Sequence, residues 1–208
     1  MPPPSSGGIA LIQMLNILEN LDIDKLQHNS EKYLMNLISA MDYAFFDRAK
    51  YLGDPDFFNV PQELLISKQY AKDISVKIKN KEELQKIKIT VSESEETTHF
   101  SIVDKWGNAV SNTYTLNTAY GSGIIPTGTG ILMNNEMDDF SSKPGYPNVY
   151  GLIGSEANKI EPKKTPLSSM TPVIVFKEDK PFLVTGSPGG STIITAVLQE
   201  LLNVLDFN

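Results

Sequence analysis

The spacing of apolar residues changes once along the chain, near Ser94, and that change restricts the fold more than any other feature. Upstream, "IALIQMLNILENL" (Ile9 to Leu21) is apolar densely enough to form a buried helix, with Ser5, Ser6 and two glycines as its lead-in turn. Glu31 to Leu52 repeats the helical pattern, with Leu34, Leu37, Ile38, Met41, Ala44, Phe45 and Leu52 predicted on one stripe, Ser30 as cap and Gly53 as stop. A third helix is predicted from Pro61 to about Ile78, and a short fourth in "KEELQKI". Downstream the period becomes two. Phe100 and Ile102 face Ala109 and Val110 across "DKWGN", a hairpin pattern, and further strands are predicted at Ser111 to Leu116, Gly130 to Met133, Thr171 to Phe176 and Phe182 to Thr185. "KEDK" reads as a second hairpin turn, and "GSPGGS" leads into a closing helix, Thr192 to Leu205. "DDFSSKPGYPNVYGLIGS" is a long Pro/Gly/Ser-rich loop, of a length that usually carries function or disorder. Helices first and antiparallel strands second predict an α+β layered fold rather than a parallel βαβ one.

A chain of 208 residues buries one sizeable core, so one domain is the default. Its net charge of −7 disfavours a nucleic-acid or anionic-membrane surface and favours small molecules or protein partners. With no cysteine, disulfides and thiolate chemistry are excluded, and two histidines, His28 and His99, make a multi-histidine metal site a poor expectation. No apolar run approaches the ~18 residues of a membrane helix.

Nucleophilic catalysis would therefore need a serine or threonine with an unusual base. A free α-amine is one, with a pKa near ~7.7. Cleavage of the acidic run "ESEE" before "TTH" would give Thr97 or Thr98 such an amine at the head of a strand; the residues alone do not choose between them, and a Thr-Thr pair is also plain β-propensity. "GSPGGS" offers unhindered N–H groups before a helix, suited to an oxyanion, although an ordinary strand-to-helix turn has the same composition. Glu136, Asp138 and Asp139 in "NNEMDDF" suit an ammonium group, or equally a solvated loop. "PLSSM" presents two hydroxyls for a carboxylate or for a capped turn. His99 is expected to be structural, and "KIKNKEELQKIKI" a solvated helical face.

Taken in order, "TTHFSIVDKWGNAVSNTYTLNTAYGSG", "GILMNNEMDDFSSKPGYPNVYGL", "PLSSMTP" and "GSPGGSTIITAVLQ" resemble the γ-glutamyltranspeptidase (glutathione hydrolase) family of N-terminal nucleophile hydrolases, and "PPPSSGGIALIQMLNILE" resembles the middle of that family's precursor. The resemblance implies an αββα sandwich, shared by two subunits produced by self-cleavage between Glu96 and Thr97. Residues 1–96 would be the tail of the large subunit and 97–208 the start of the small one. Thr97 would be the nucleophile, and Thr115 would orient its hydroxyl. Asn117 would contact the glutamyl group, Glu136 and Asp139 its α-ammonium, and Ser168 and Ser169 its α-carboxylate. Gly189 and Gly190 would form the oxyanion hole, and the loop containing Tyr150 a lid. The implied chemistry is acyl transfer through a γ-glutamyl ester, from glutathione and related compounds to water or an amino acid or peptide amine, with no cofactor and no metal.

Two positions depart from the family pattern: Thr192 stands where an arginine is usual, and the upstream arginine that pairs with the substrate carboxylate has no counterpart. The chain is thus expected to be an internal fragment, from a family whose bacterial members are periplasmic or secreted. The alternatives are a catalytically silent fragment and a glutaryl-amide acylase of the same fold, which would have no use for an ammonium site.

Overall fold

The computed structural model describes residues 1–82, 84 and 97–207. The helices are α1 (Gly7–Glu19), α2 (Glu31–Tyr51), α3 (Gln62–Leu65), α4 (Lys68–Lys79) and α5 (Ile193–Leu205). The strands are β1 (Thr98–Val103), β2 (Ala109–Tyr114), β3 (Val173–Lys177) and β4 (Lys180–Thr185), paired as two antiparallel hairpins, β1 with β2 and β3 with β4. Helices precede strands, as the change of period requires. The "KEELQKI" helix lies mostly outside the described residues.

Helices α1, α2, α4 and α5 share one apolar core, in which Met14, Ile17, Leu18, Ala40, Ile194, Val197 and Leu198 are almost wholly buried. Val173, Val175 and Leu183 of the second hairpin pack against it, and β2 lies against β3 and β4. The described residues therefore stack the helices on the second hairpin and the second hairpin on the first, a mixed α+β arrangement. In the first hairpin the apolar face is the outer one: Phe100, Ile102, Val110 and Tyr114 are exposed. The face toward the second hairpin is polar. His99 bonds Thr113 (2.8 Å) and Ser101 (3.0 Å), while the Ser111 hydroxyl donates to the Thr185 carbonyl and accepts from the Val173 amide. His99 is structural as expected, and burial holds its pKa below the usual histidine value.

Several expectations need correction. In α2 the buried stripe is Tyr33, Leu37, Ala40 and Ala44, whereas Leu34, Met35 and Ile38 are exposed. The helix is rotated because Asp47 and Arg48, about one turn beyond Ala44, take up buried polar contacts along this stripe. The predicted third helix is two, since Ser67 is extended and caps α4 by accepting from the Tyr70 amide. Gly130 to Met133 is not a strand. Gly121, Gly123, Gly128 and Gly130 all have positive φ, and the Met133 amide merely closes a loop onto the Ile124 carbonyl. Gly7 and Gly8 lie within α1, and Ser6 does not cap it, because its hydroxyl donates to the Ser168 carbonyl instead. The Ser30 cap on α2 and the "KEDK" turn, with Glu178 and Asp179 both at positive φ, are as predicted.

Gly53 does more than stop α2. A Cβ there would lie 2.2 Å from the Ala157 carbonyl oxygen, so only glycine admits the 154–158 segment at this distance. Gly53→Ala is expected to lower stability by about 1–3 kcal/mol, measured as a shift in the urea midpoint at unchanged slope.

Candidate active site

Thr97 immediately precedes β1 and is buried. The register ends at the pair Thr98 and Tyr114, so Thr97 and Thr115 are the residues immediately beyond it. Thr115 Oγ1 accepts from the Asn117 amide (2.9 Å), which fixes the chain as it leaves β2. Asn117 is buried at a positive φ of 79°, and its side chain donates to the Asn135 carbonyl (3.1 Å). The Tyr150 hydroxyl donates to the Asn117 carbonyl, so the loop read as a lid is docked against this turn, with Tyr150 buried.

One residue beyond Asn135, a 3₁₀ turn spans Glu136–Asp139 and folds both carboxyls onto each other. Burial, and then the Glu136 charge, push the Asp139 carboxyl up to about 7, while burial also raises Glu136. Two carboxyls that share a partly buried turn resist ionising together.

A single buried amide joins this acidic turn to the serine turn. Asn158 Nδ2 donates to the Asp139 carbonyl (2.7 Å), and its Oδ1 accepts from the Leu167 amide (3.0 Å), one residue before Ser168. From the other side, the segment before α1 bridges to Ser168: the Ser6 amide donates to the Ser168 carbonyl (2.8 Å) and Ser5 Oγ to the Met170 carbonyl (2.8 Å). Arg48 of α2 donates through Nε to Ser6 Oγ (3.0 Å) and through Nη2 to Ser169 Oγ (3.1 Å). Glu136, Asp139, Ser168 and Ser169 are thus held in one assembly.

Gly189 and Gly190 follow β4 with φ of 127° and 54°, a conformation that L side chains rarely adopt. The ring of His99, two residues after Thr97, packs on Gly186 so closely that a Cβ there would meet it at 2.4 Å. That contact brings the start of the glycine loop beside the start of β1. No hydrogen bond among the described residues joins Gly189 or Gly190 to the acidic or serine turns. Thr192, where an arginine was expected, turns its hydroxyl inward onto the Gly189 carbonyl (2.8 Å). Glu96 lies outside the described residues. Among the described residues no group of three or more His, Asp or Glu side chains is arranged to hold a metal ion.

Sequence reasoning missed Arg48 and Asn158. Arg48 sits on a helix read for its apolar stripe, and Asn158 near small polar residues; neither type nor spacing marks them.

The mixed α+β arrangement matches that of a solved cephalosporin acylase from Bacillus halodurans, which overlays 100% of this chain and 35% of that one (TM-score 0.74, 26% identity). A mutant of Helicobacter pylori γ-glutamyltranspeptidase overlays 53% of this chain and 60% of its own (TM-score 0.52, 64% identity). The chain belongs to the γ-glutamyltranspeptidase family, whose sequence profile matches residues 1–208. It is 55% identical to the glutathione hydrolase proenzyme of Escherichia coli (strain K12) over 100% of its own length, and spans 37% of that relative. The chain is thus homologous to enzymes made as proenzymes.

The Asp139 carboxyl, pushed up to about 7, gives a directional prediction. Its folded pKa exceeds the unfolded value, so the native state holds the extra proton between about pH 4 and pH 7. The stability associated with that proton is complete below about pH 4 and is lost as pH rises through 7. Asp139→Asn is therefore expected to exceed wild type in stability at pH 8, by on the order of 2 kcal/mol, and to match it near pH 4. Urea unfolding across that range tests the sign.

Proposed function

We propose that the chain carries the processing site and glutamyl-binding turns of a self-cleaving γ-glutamyl hydrolase and transferase. In this reading the Thr97 hydroxyl attacks the Glu96 carbonyl during maturation, which divides residues 1–96 from 97–208 as two subunits of one core. The freed α-amine of Thr97, with a pKa near ~7.7, then takes the proton of its own hydroxyl as Oγ attacks the γ-glutamyl carbonyl. Collapse of the tetrahedral intermediate passes that proton to the departing amine, cysteinylglycine in the case of glutathione. Water or an acceptor amine resolves the ester by the same route. Thr115 orients the nucleophile and Asn117 contacts the glutamyl group. The Gly189 and Gly190 amides face the developing oxyanion, where one donor is typically worth ~10²–10³ in rate. The periplasm or the exterior of the cell is the compartment that goes with this reading.

The observation that carries the proposal is the pairing of an acidic turn, Glu136 and Asp139, with a hydroxyl turn, Ser168 and Ser169, across Asn158. A pocket with carboxyls on one side and hydroxyls on the other suits an amino acid zwitterion, the α end of a γ-glutamyl group. The overlay with the cephalosporin acylase favours a second reading, a glutaryl-amide acylase. Glutaryl amides lack the ammonium that Glu136 and Asp139 would meet.

Intact mass spectrometry of the purified chain should show products of 96 and 112 residues (208 − 96 = 112), and Thr97→Ala should abolish them. An uncut wild-type chain that releases nothing from a γ-glutamyl anilide would refute the proposal. Equal rates on glutaryl and γ-glutamyl anilides would favour the acylase.

A further inference from the structure

The glycine loop starts on one imidazole ring. An added Cβ at Gly186 would meet His99 Cε1 and Nδ1 at 2.4 Å and Nε2 at 3.0 Å, and Gly186 does not have a positive φ, so glycine stands there for room rather than for conformation. The ring is not free to swing aside, because Nδ1 bonds Thr113 Oγ1 (2.8 Å) and Nε2 bonds Ser101 Oγ (3.0 Å). Thr185, the residue before Gly186, is held twice more: its carbonyl accepts from Ser111 Oγ (2.8 Å) of β2, and its hydroxyl donates to Glu200 (2.6 Å) of α5. At the far end, Thr192 donates through both its amide (3.0 Å) and its hydroxyl (2.8 Å) to the Gly189 carbonyl.

These contacts link the strand of the candidate nucleophile to the loop of the candidate oxyanion donors. Thr97 lies two residues before His99, the spacing that returns to one face of an extended chain, and Gly189 and Gly190 follow Gly186 by three and four residues. His99 does not act as a base itself. Burial holds its pKa below the ordinary histidine value, so above pH 7 the ring is neutral, with one N–H and one lone pair, and the two hydroxyls engage both. What the ring offers is a fixed distance: Thr97 heads β1, the ring stands on β1, and the loop that carries both amides starts on the ring.

We propose that His99 is a positioning residue for acyl transfer: its ring sets the height of the 186–190 loop above β1, and so the place of the Gly189 and Gly190 amides relative to the Thr97 hydroxyl. The inference rests on the γ-glutamyl reading above and concerns the tetrahedral intermediate rather than the hold on the amino acid end. Donors aimed at an oxyanion act as charge develops on it, so a misplaced loop slows both acylation and deacylation and leaves substrate affinity alone.

The test measures kcat and KM on γ-glutamyl p-nitroanilide, per cleaved chain, for wild type, His99→Ala, Gly186→Ala and the double variant. Each single substitution is expected to lower kcat about 10- to 100-fold with KM changed less than about threefold. The double variant should lose less than the product of the two, because removing the ring makes room for the new Cβ. A boronic acid analogue of the γ-glutamyl group, which bonds the Thr97 hydroxyl oxygen as a tetrahedral anion, should bind His99→Ala about 10- to 100-fold more weakly than wild type, while calorimetric L-glutamate affinity stays within about twofold. An unchanged kcat, fully multiplicative losses, or equal losses of boronate and L-glutamate affinity would mean that the ring serves packing alone and would overturn the proposal. If His99→Ala does not fold or does not cleave, Gly186→Ala decides by the same kinetic and affinity measurements. A wild type that neither turns over the anilide nor binds L-glutamate overturns the γ-glutamyl reading and this inference with it; an active wild type beside an unchanged His99→Ala overturns this inference alone.

Discussion

The carboxy-terminal end of α2 is the fixed point on which the candidate site is built. Within seven residues, it and the turn that follows it hold the later chain at four points. Arg48 reaches Ser169, and the Lys50 carbonyl accepts from Ser155 Oγ. Gly53 admits the Ala157 carbonyl, and Asp54 accepts from the Thr165 amide (2.8 Å). A rigid helix buried in an apolar core thereby lends its position to loops that have little regular structure of their own.

Electrostatics divides the site in two. The acidic turn keeps Glu136 and Asp139 close at the expense of ionisation, and the serine turn stands beside a buried guanidinium that keeps its charge. Asn158 stands between the two as a neutral amide that bridges their backbones, to the Asp139 carbonyl and from the Leu167 amide.

Periodicity was a sound guide where packing is simple and a poor one where polar contacts compete. The core faces of α1 and α5 follow their apolar spacing. In α2 the Leu34 and Ile38 side was the wrong choice, because buried polar contacts of Asp47 and Arg48 set the helix rotation. In the first hairpin, Phe100 and Ile102 alternate correctly but face outward, since hydrogen bonds from His99 and Ser111 claim the inner face. Glycines with positive φ made a loop of the stretch ending in Ile131 and Met133, which composition alone presents as a strand.

The order of the motifs by itself determined the family, the helices-then-strands organisation and the residues to watch, because short motifs such as "TTH", "NNEMDDF", "PLSSM" and "GSPGG" are local and survive as text. What only tertiary structure decided is how they meet. Arg48 and Asn158 act across 121 and 19 residues of chain respectively, and a hydrogen bond over such a separation leaves no local pattern of spacing or composition. Their burial alone gives those bonds weight, and burial belongs to the folded chain.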